Sequence, residues 1–157
     1  MKKLISAILI LVLAVFPLSI SVSANGQDAE VQLSENQEMI RYSDGSYAII
    51  TLSEEFINRA TKNGSKSYNF YGANGVLGWT VTLNGTFSYD GSSASCTSSS
   101  VSHAIYDSVW KVTSQAASRS GAAAIGDFTV KRYTLLIPVQ TETVKLTITC
   151  SPSGTLS

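Results

Sequence analysis

Residues 68–89 read YNFYGANGVLGWTVTLNGTFSY, and apolar side chains alternate with polar ones on both sides of Asn74-Gly75. Asn-Gly supplies the positive backbone φ angles that a tight hairpin turn requires. A two-residue turn there places Phe70 opposite Trp79, so that apolar residues face each other across two strands. The stretch therefore predicts an antiparallel β-hairpin.

A second Asn-Gly pair in the same stretch, Asn84-Gly85, fails this test. A tight turn at that point would set Val81 against Ser88 and mix apolar with polar residues on one face. When residues 79–89 are followed straight through, the odd-numbered positions all share one side of a strand. We therefore predict one long strand with Gly85 at a bend or bulge.

The same alternation continues along the chain, with turn residues at regular intervals. The predicted pairs are Tyr42–Tyr47 around Asp44-Gly45, Phe87–Ala94 around Asp90-Gly91, and Trp110–Val130 around a loop at residues 119–121. About seven strands at this spacing are typical of a two-sheet domain. We predict an all-β domain over residues 39–157, a single antiparallel β-sandwich, Ig-like or related, with a flattened barrel as the second choice.

One segment departs from the alternation: residues 52–64, LSEEFINRATKNG. Ser53 is a suitable N-cap, and Glu54 and Glu55 would lie at the positive end of a helix dipole. Asn63-Gly64 is a typical helix stop. These local signals predict one short helix near residues 54–62.

The N-terminus has the pattern of a secretory signal peptide. Two lysines precede an apolar run at residues 4–18, and residues 22–24 form a small-residue cleavage site. We predict a signal peptide at 1–24, a flexible acidic lead-in at 25–38, and a secreted, extracellular product without a membrane span after cleavage. Cleavage removes two of the eleven basic residues and leaves eleven acidic ones, a balance that argues against nucleic acid as a partner.

The chain has two cysteines, Cys96 and Cys150, and both fall on the apolar side of their predicted strands. In an oxidising compartment an even count favours a disulfide bond, and two cysteines allow one intramolecular pairing. The alternative, a reactive thiol, needs a basic neighbour, and only His103 is near Cys96 in the sequence. We predict a Cys96–Cys150 disulfide.

The sequence offers little catalytic chemistry. A serine triad would need His103, the single histidine, together with Asp107 or Asp90, and no nucleophile-elbow motif accompanies it. Paired carboxylates for glycoside hydrolysis would have to come from Asp90, Asp107, Asp127 and Glu142, each beside a turn or on a polar face. We predict no catalytic residues, no metal site and no cofactor, and therefore a protein that is not an enzyme.

Aromatic side chains are the remaining candidates for binding. Tyr71, Tyr106 and Tyr133 fall on polar faces or irregular stretches, where their rings can stack on sugars or on partner side chains. These three tyrosines are the candidate binding residues. The other large aromatics fall on apolar faces and are assigned to the core: Phe70, Trp79, Phe87, Trp110 and Phe128.

Four stretches carry a family resemblance: EMIRYSDGSYAIITL (38–52), TKNGSKSYNFYGANGVLGWTVTLNGTFSYDGSSASCTSSS (61–100), WKVTSQAASRSGAA (110–123) and KRYTLLIPVQTETVKLTITCSPSGTLS (131–157). Together they resemble a group of small secreted proteins of Gram-positive, clostridia-like bacteria. The resemblance implies a bacterial source and an exported single domain. It brings no assigned activity and no catalytic positions.

Three functions follow from these observations as hypotheses. The first is a secreted, non-catalytic binding module whose partner is an unknown extracellular protein or glycan. The second is a secreted antimicrobial or toxin-like protein that acts on membranes or on competitors. The third is a small hydrolase that would depend on His103 and a nearby acid.

Overall fold

The computed structural model describes residues 32–58 and 60–157, so the predicted signal peptide and residues 25–31 of the lead-in lie outside the described residues. The described chain forms eight strands: β1 (Gln37–Arg41), β2 (Tyr47–Asn58), β3 (Thr61–Tyr71), β4 (Leu77–Tyr89), β5 (Ala94–Ile105), β6 (Trp110–Ser120), β7 (Ala123–Thr134) and β8 (Ile137–Thr149). β1 begins inside the predicted lead-in. Within these residues no helix is long and apolar enough to cross a membrane.

The strands form two antiparallel sheets in simple sequence order. β1 to β5 make a five-stranded sheet, and β6 to β8 make a three-stranded one. Within each sheet consecutive strands are joined as hairpins, which antiparallel pairing permits with short loops, and the β5–β6 connection passes from one sheet to the other. The predicted all-β antiparallel class is confirmed. Each sheet follows the chain order, so its connections differ from the Greek-key connections of an Ig domain.

The inward faces of the two sheets enclose one apolar core. β4 contributes the odd-numbered side chains that the sequence placed on one side, and Trp79, Val81, Leu83 and Phe87 are fully buried. β7 and β8 supply the other side of the core: Ala124, Phe128, Val130, Val144, Leu146 and Ile148. Each large apolar side chain buried in this way contributes roughly 1.5–3 kcal/mol to stability.

The β3–β4 hairpin confirms the predicted pairing. Phe70 lies opposite Trp79, and their rings stack with centroids 5.2 Å apart. The loop holds residues 73–75, one more than predicted, and ends at Gly75 with a φ of 74°. A register shift next to Phe70 absorbs the extra residue. β4 then continues through Asn84-Gly85 as one strand, which is also as predicted.

Three other predicted registers are wrong, because their loops differ in length from the predicted ones. The observed pairs are Arg41–Tyr47, Phe87–Cys96 and Trp110–Arg132, in place of Tyr42–Tyr47, Phe87–Ala94 and Trp110–Val130. In the β4–β5 loop, the Asp90 carboxylate accepts hydrogen bonds from the backbone N–H groups of Ser92 and Ser93 and stabilises a four-residue loop. The shift there is by two residues, so Cys96 still faces inward as predicted.

The predicted helix near residues 54–62 is wrong. β2 runs to Asn58 and pairs with β3 along its length, so this segment forms the end of a hairpin. Glu54 and Lys62 form an ion pair at 2.8 Å across it. The N-cap and stop signals are local, whereas β2 gains cross-strand contacts along twelve residues, and those contacts outweigh a weak helix preference.

The predicted disulfide is also wrong, since Cys96 and Cys150 are both free. Both are buried, as their inward orientation predicted. The Cys96 thiol donates a hydrogen bond to the Ser98 carbonyl at 3.2 Å, and the Cys150 thiol donates to the Ser151 carbonyl at 3.4 Å. Each sulfur therefore contacts a carbonyl close to it in the chain rather than the other sulfur. Burial raises the pKa of both thiols.

Candidate functional site

A cleft of about 680 Å³ opens at one end of the two sheets, and we call it the end cleft. It lies between the β1–β2, β3–β4 and β5–β6 loops and the base of the β7–β8 hairpin. In an antiparallel meander alternate turns fall at the same end, which explains why these four connections meet. The polar side chains that line it are Asp44, Ser46, Asn74, Asp107, Ser108, Arg132 and Gln140.

The floor of the end cleft is aromatic. Phe70 and Trp110 line it and meet edge to face, with ring centroids 5.1 Å apart. Trp79 packs against both, at 5.2 Å from Phe70 and 6.0 Å from Trp110. Each ring fills the space beside the next, so the cluster holds its members in one arrangement. The floor is therefore formed before any ligand binds.

Asp44 fixes the β1–β2 side of the cleft. Its carboxylate accepts hydrogen bonds from the Ser46 hydroxyl at 2.6 Å and from the Ser46 N–H at 2.9 Å. These bonds lower the pKa of Asp44, and the positive charge of Arg132 adds a smaller effect in the same direction. The loop closes through Gly45, whose φ of 84° suits glycine. The cleft thus holds an ionised carboxylate and a guanidinium group.

Two loop side chains in the cleft have donor or acceptor atoms without a partner among the described residues. Asp107 accepts from the Val109 N–H at 3.1 Å through one carboxylate oxygen, and the other has no partner among the described residues. Asn74 accepts from the Val76 N–H at 3.1 Å, which leaves its amide donors without a described partner. The Arg132 guanidinium likewise makes no hydrogen bond to any residue that the structure describes. Donors and acceptors are thus available above an aromatic floor.

Of the three candidate tyrosines, Tyr106 alone lines the end cleft, and its side chain is 62% exposed. Tyr71 instead stacks on Tyr47, with ring centroids 4.8 Å apart. Tyr133 lies beneath the Lys111 ammonium group, which is 5.4 Å from the ring centroid. The three rings therefore do not form one site, and Tyr106 is the one placed to contact a ligand in the cleft.

His103 makes no hydrogen bond to a carboxylate among the described residues. Nδ1 of His103 hydrogen-bonds with the side chain of Gln115 on β6 at 2.8 Å. Asp90 precedes β5 and Asp107 follows it, so a strand of twelve residues separates the two carboxylates. Asp127 is exposed on β7. Among the described residues, no group of three His, Cys, Asp or Glu side chains is placed to hold a metal ion.

The Ser/Thr-rich outer face of β4 is used for bonds between strands. Thr80 donates to Asn69 at 2.8 Å, and Thr86 donates to Asn63 at 2.9 Å. Cross-strand polar pairs of this kind stabilise the exposed side of a sheet. Much of the hydrogen-bonding capacity of this face is therefore already satisfied within the fold.

Sequence reasoning missed Asn74, Arg132 and Gln140 as residues of the cleft. The sequence presents Asn74 as a turn residue and Arg132 as part of an irregular stretch of β7. Arg132 and Gln140 form a register pair near the end of the β7–β8 hairpin, which brings both to the cleft. The sequence could have indicated these residues only through their places along the chain, because alternate turns of a sequential meander meet at the same end.

The chain matches no protein-family model, no curated protein and no solved structure.

Proposed function

We propose that this protein is an exported, non-catalytic binding module that holds a sugar unit of a cell-envelope glycan in the end cleft. The supporting observation is the exposed Tyr106 ring at a cleft with an aromatic floor and available polar groups. The C–H face of a sugar packs against an aromatic ring, while its hydroxyl groups exchange hydrogen bonds with side chains. Export is supported by the signal-peptide pattern of residues 1–24.

The size and charge of the cleft favour this class of ligand. Its volume of about 680 Å³ falls within the range of about 300–1,000 Å³ that is usual for small-ligand sites. Asp44 and Asp107 carry negative charges in the cleft and Arg132 carries a positive one. Mixed charges suit a neutral, hydroxyl-rich ligand better than a strongly charged one. An anionic ligand would meet the cleft carboxylates, and a cationic ligand would meet the guanidinium group.

A pull-down on insoluble cell-wall peptidoglycan and on immobilised wall glycans tests the proposal. We expect the wild-type protein to be retained and Tyr106→Ala to bind at least tenfold more weakly, because the stacking ring is lost. Tyr133→Ala is the matched control, since Tyr133 lies outside the cleft. Equal retention of both variants, or no retention of the wild type on any polymer, would contradict the proposal.

The non-catalytic part of the proposal has its own test. Prolonged incubation of the protein with the same polymers is expected to release no soluble sugar or peptide fragments. His103→Ala should bind as the wild type does, because His103 contacts Gln115 and does not line the cleft. Fragment release that disappears in His103→Ala would support the hydrolase hypothesis instead.

A further inference from the structure

The β7–β8 hairpin ends in an exposed apolar segment, residues 134–139, which we call the hairpin tip. Leu135 and Leu136 are 91% and 87% exposed, and Ile137 and Val139 are 65% and 56% exposed. Contiguous exposed apolar side chains on a folded domain mark a contact surface for a partner or a membrane. The tip is the densest group of this kind in the described chain, and the end cleft does not include it.

The tip projects from the body of the fold. At its base the Tyr133 N–H donates to the Val109 carbonyl at 2.8 Å, which ties the hairpin to the β5–β6 loop. Beyond that point the two strands pair only with each other, down to Thr134 opposite Ile137. The tip is therefore a narrow convex projection rather than a groove.

The backbone of the tip is unusual for its side chains. Leu135 and Leu136 have φ angles of 48° and 69°, in the left-handed region that residues with a side chain disfavour. Elsewhere the chain turns with glycine at positive φ, as at Gly45, Gly75 and Gly91. An Asn-Gly pair would adopt the tip conformation with less strain and would expose no apolar surface. Leu135 and Leu136 combine a strained backbone with exposed apolar side chains, and this combination indicates a function outside the fold itself.

Two lysines flank the base of the tip. Lys111 of β6 lies directly opposite Lys131 of β7, an arrangement that destabilises a sheet because the charges are alike. Neither ammonium group forms an ion pair with a carboxylate of the described residues. Lys111 lies over the Tyr133 ring at 5.4 Å, and neither lysine lines the cleft that holds Asp44 and Asp107.

From the apolar tip and the lysine pair we infer that the hairpin tip inserts into the surface of a lipid membrane that carries anionic headgroups. Leu135, Leu136 and Ile137 enter the upper acyl region, and Lys111 and Lys131 bind lipid phosphates. Tyr133 lies at headgroup level, where an aromatic ring with a polar tip is favoured. This binding is separate from the proposed glycan site.

The membrane fits these observations better than a second copy of the chain or a protein groove. A symmetric dimer through the tip would set the same patch against itself and bring one lysine pair against the other. Insertion stops at the headgroup–acyl boundary, so the outward-facing backbone groups along the two open edges of the hairpin remain within reach of water. Pro138, opposite Tyr133, has no N–H to leave unpaired in hydrocarbon.

Vesicle flotation with protein purified after export tests the inference. The vesicles are pure phosphatidylcholine or an equimolar mixture of phosphatidylcholine and phosphatidylglycerol. We expect binding to the anionic vesicles that weakens as salt is added, and little binding to the neutral ones. The double variant Leu135→Asn/Leu136→Gly should lose at least tenfold in vesicle affinity while it keeps the native fold, because Asn-Gly suits this turn. Lys111→Gln/Lys131→Gln should lose several-fold on anionic vesicles alone.

The control removes exposed apolar side chains elsewhere: Phe56→Ser/Ile57→Asn, at the β2–β3 end of the molecule. It should bind vesicles as the wild type does. The inference is overturned if the wild type binds no vesicles, or if the tip variant and the control lose affinity equally. It is also overturned if sedimentation shows a dimer that the tip variant alone abolishes, with no vesicle binding. The tip variant should still be retained on wall glycans. Its retention would separate loss of the membrane contact from failure of the proposed glycan site.

Discussion

Gly64 of β3 lies directly opposite Gly85 of β4, and neighbouring core side chains fill the space that two Cβ atoms would need. A Cβ at Gly85 would lie 2.7 Å from the Phe87 ring and 3.0 Å from the Ala124 methyl group. A Cβ at Gly64 would lie 2.6 Å from a Leu156 methyl carbon. The two glycines are therefore a packing requirement of the core, although each stands in an Asn-Gly pair that resembles a turn.

Gly85→Ala should lower the free energy of unfolding by about 1–3 kcal/mol, the usual cost of overpacking a well-filled core. Gly64→Ala should cost less, because the obstructing Leu156 methyl group is the end of a side chain that can rotate. Urea denaturation of both variants measures the difference, with the exposed Ser100→Ala as a control. A Gly85→Ala variant as stable as the wild type would contradict the packing at this position.

Leu156 belongs to the C-terminal segment and packs into the core. It is buried and forms a β-bridge with Cys150. Leu156→Ala should lower the free energy of unfolding by about 2–5 kcal/mol. In the double variant Gly64→Ala/Leu156→Ala, the new methyl group occupies part of the vacated space, so the combined loss should be smaller than the sum of the single losses. Additive losses in urea denaturation would show that the two positions do not share this space.

The β3–β4 hairpin could be predicted from sequence because its long apolar faces leave one register in which Phe70 meets Trp79. The failed registers share a different cause: a turn dipeptide marks where the chain reverses but not how many residues the loop holds. At the β4–β5 loop, hydrogen bonds from Ser92 and Ser93 to Asp90 lengthen the loop by two residues. The false helix at residues 54–62 was favoured by local signals that carry no information about the partner strand.

The end cleft was less predictable than the fold. Tyr106 could be proposed because an aromatic ring in an irregular stretch next to a strand end is a recognisable pattern. Asn74 and Arg132 could not, since their approach depends on which loops share an end, and that depends on strand order. The hairpin tip gave no local signal either. Leu135-Leu136 resembles the middle of a strand until its positive φ angles are known.

Asp90 should make stability depend on pH in the acid range. Hydrogen bonds from the backbone and hydroxyl groups of Ser92, and then those of Ser93, hold the pKa of Asp90 well below the aspartate range. A carboxylate with a lowered folded-state pKa stabilises the fold above its unfolded pKa, and the effect is lost as the pH falls through the folded value. Asp90→Ala should therefore have a lower Tm than the wild type at neutral pH. On acidification the Tm of the variant should fall by less than that of the wild type.

Thermal unfolding at about pH 7 and about pH 3 measures this effect. Asp127→Ala is the matched control, because Asp127 is an exposed carboxylate with no hydrogen bond among the described residues. Its Tm should follow the wild type at both pH values. If Asp90→Ala and the wild type lose the same amount of Tm on acidification, the loop bonds do not account for the acid sensitivity.

Cys96 and Cys150 should react slowly in the folded protein. Burial raises the pKa of both thiols, so less of the reactive thiolate is present at mildly alkaline pH, and the sulfurs are shielded as well. Alkylation with iodoacetamide followed by mass spectrometry should label few molecules in native buffer and both cysteines after unfolding in guanidinium. An unfolded, unreduced chain that takes up no label would show that the two cysteines are joined by a disulfide bond.

The two leucines at the hairpin tip should lower the stability of the fold and raise its affinity for vesicles. Leu135 and Leu136 both occupy left-handed backbone conformations, which cost a non-glycine residue about 1–2 kcal/mol each. Leu135→Asn/Leu136→Gly should relieve part of this strain and raise the free energy of unfolding by about 1–2 kcal/mol. Urea denaturation measures the gain, and Leu136→Gly alone should give a smaller one. A double variant that is less stable than the wild type would mean that the leucines pack in the folded protein. A more stable variant that has lost vesicle binding would indicate that the strained, apolar turn is kept for a contact outside the fold.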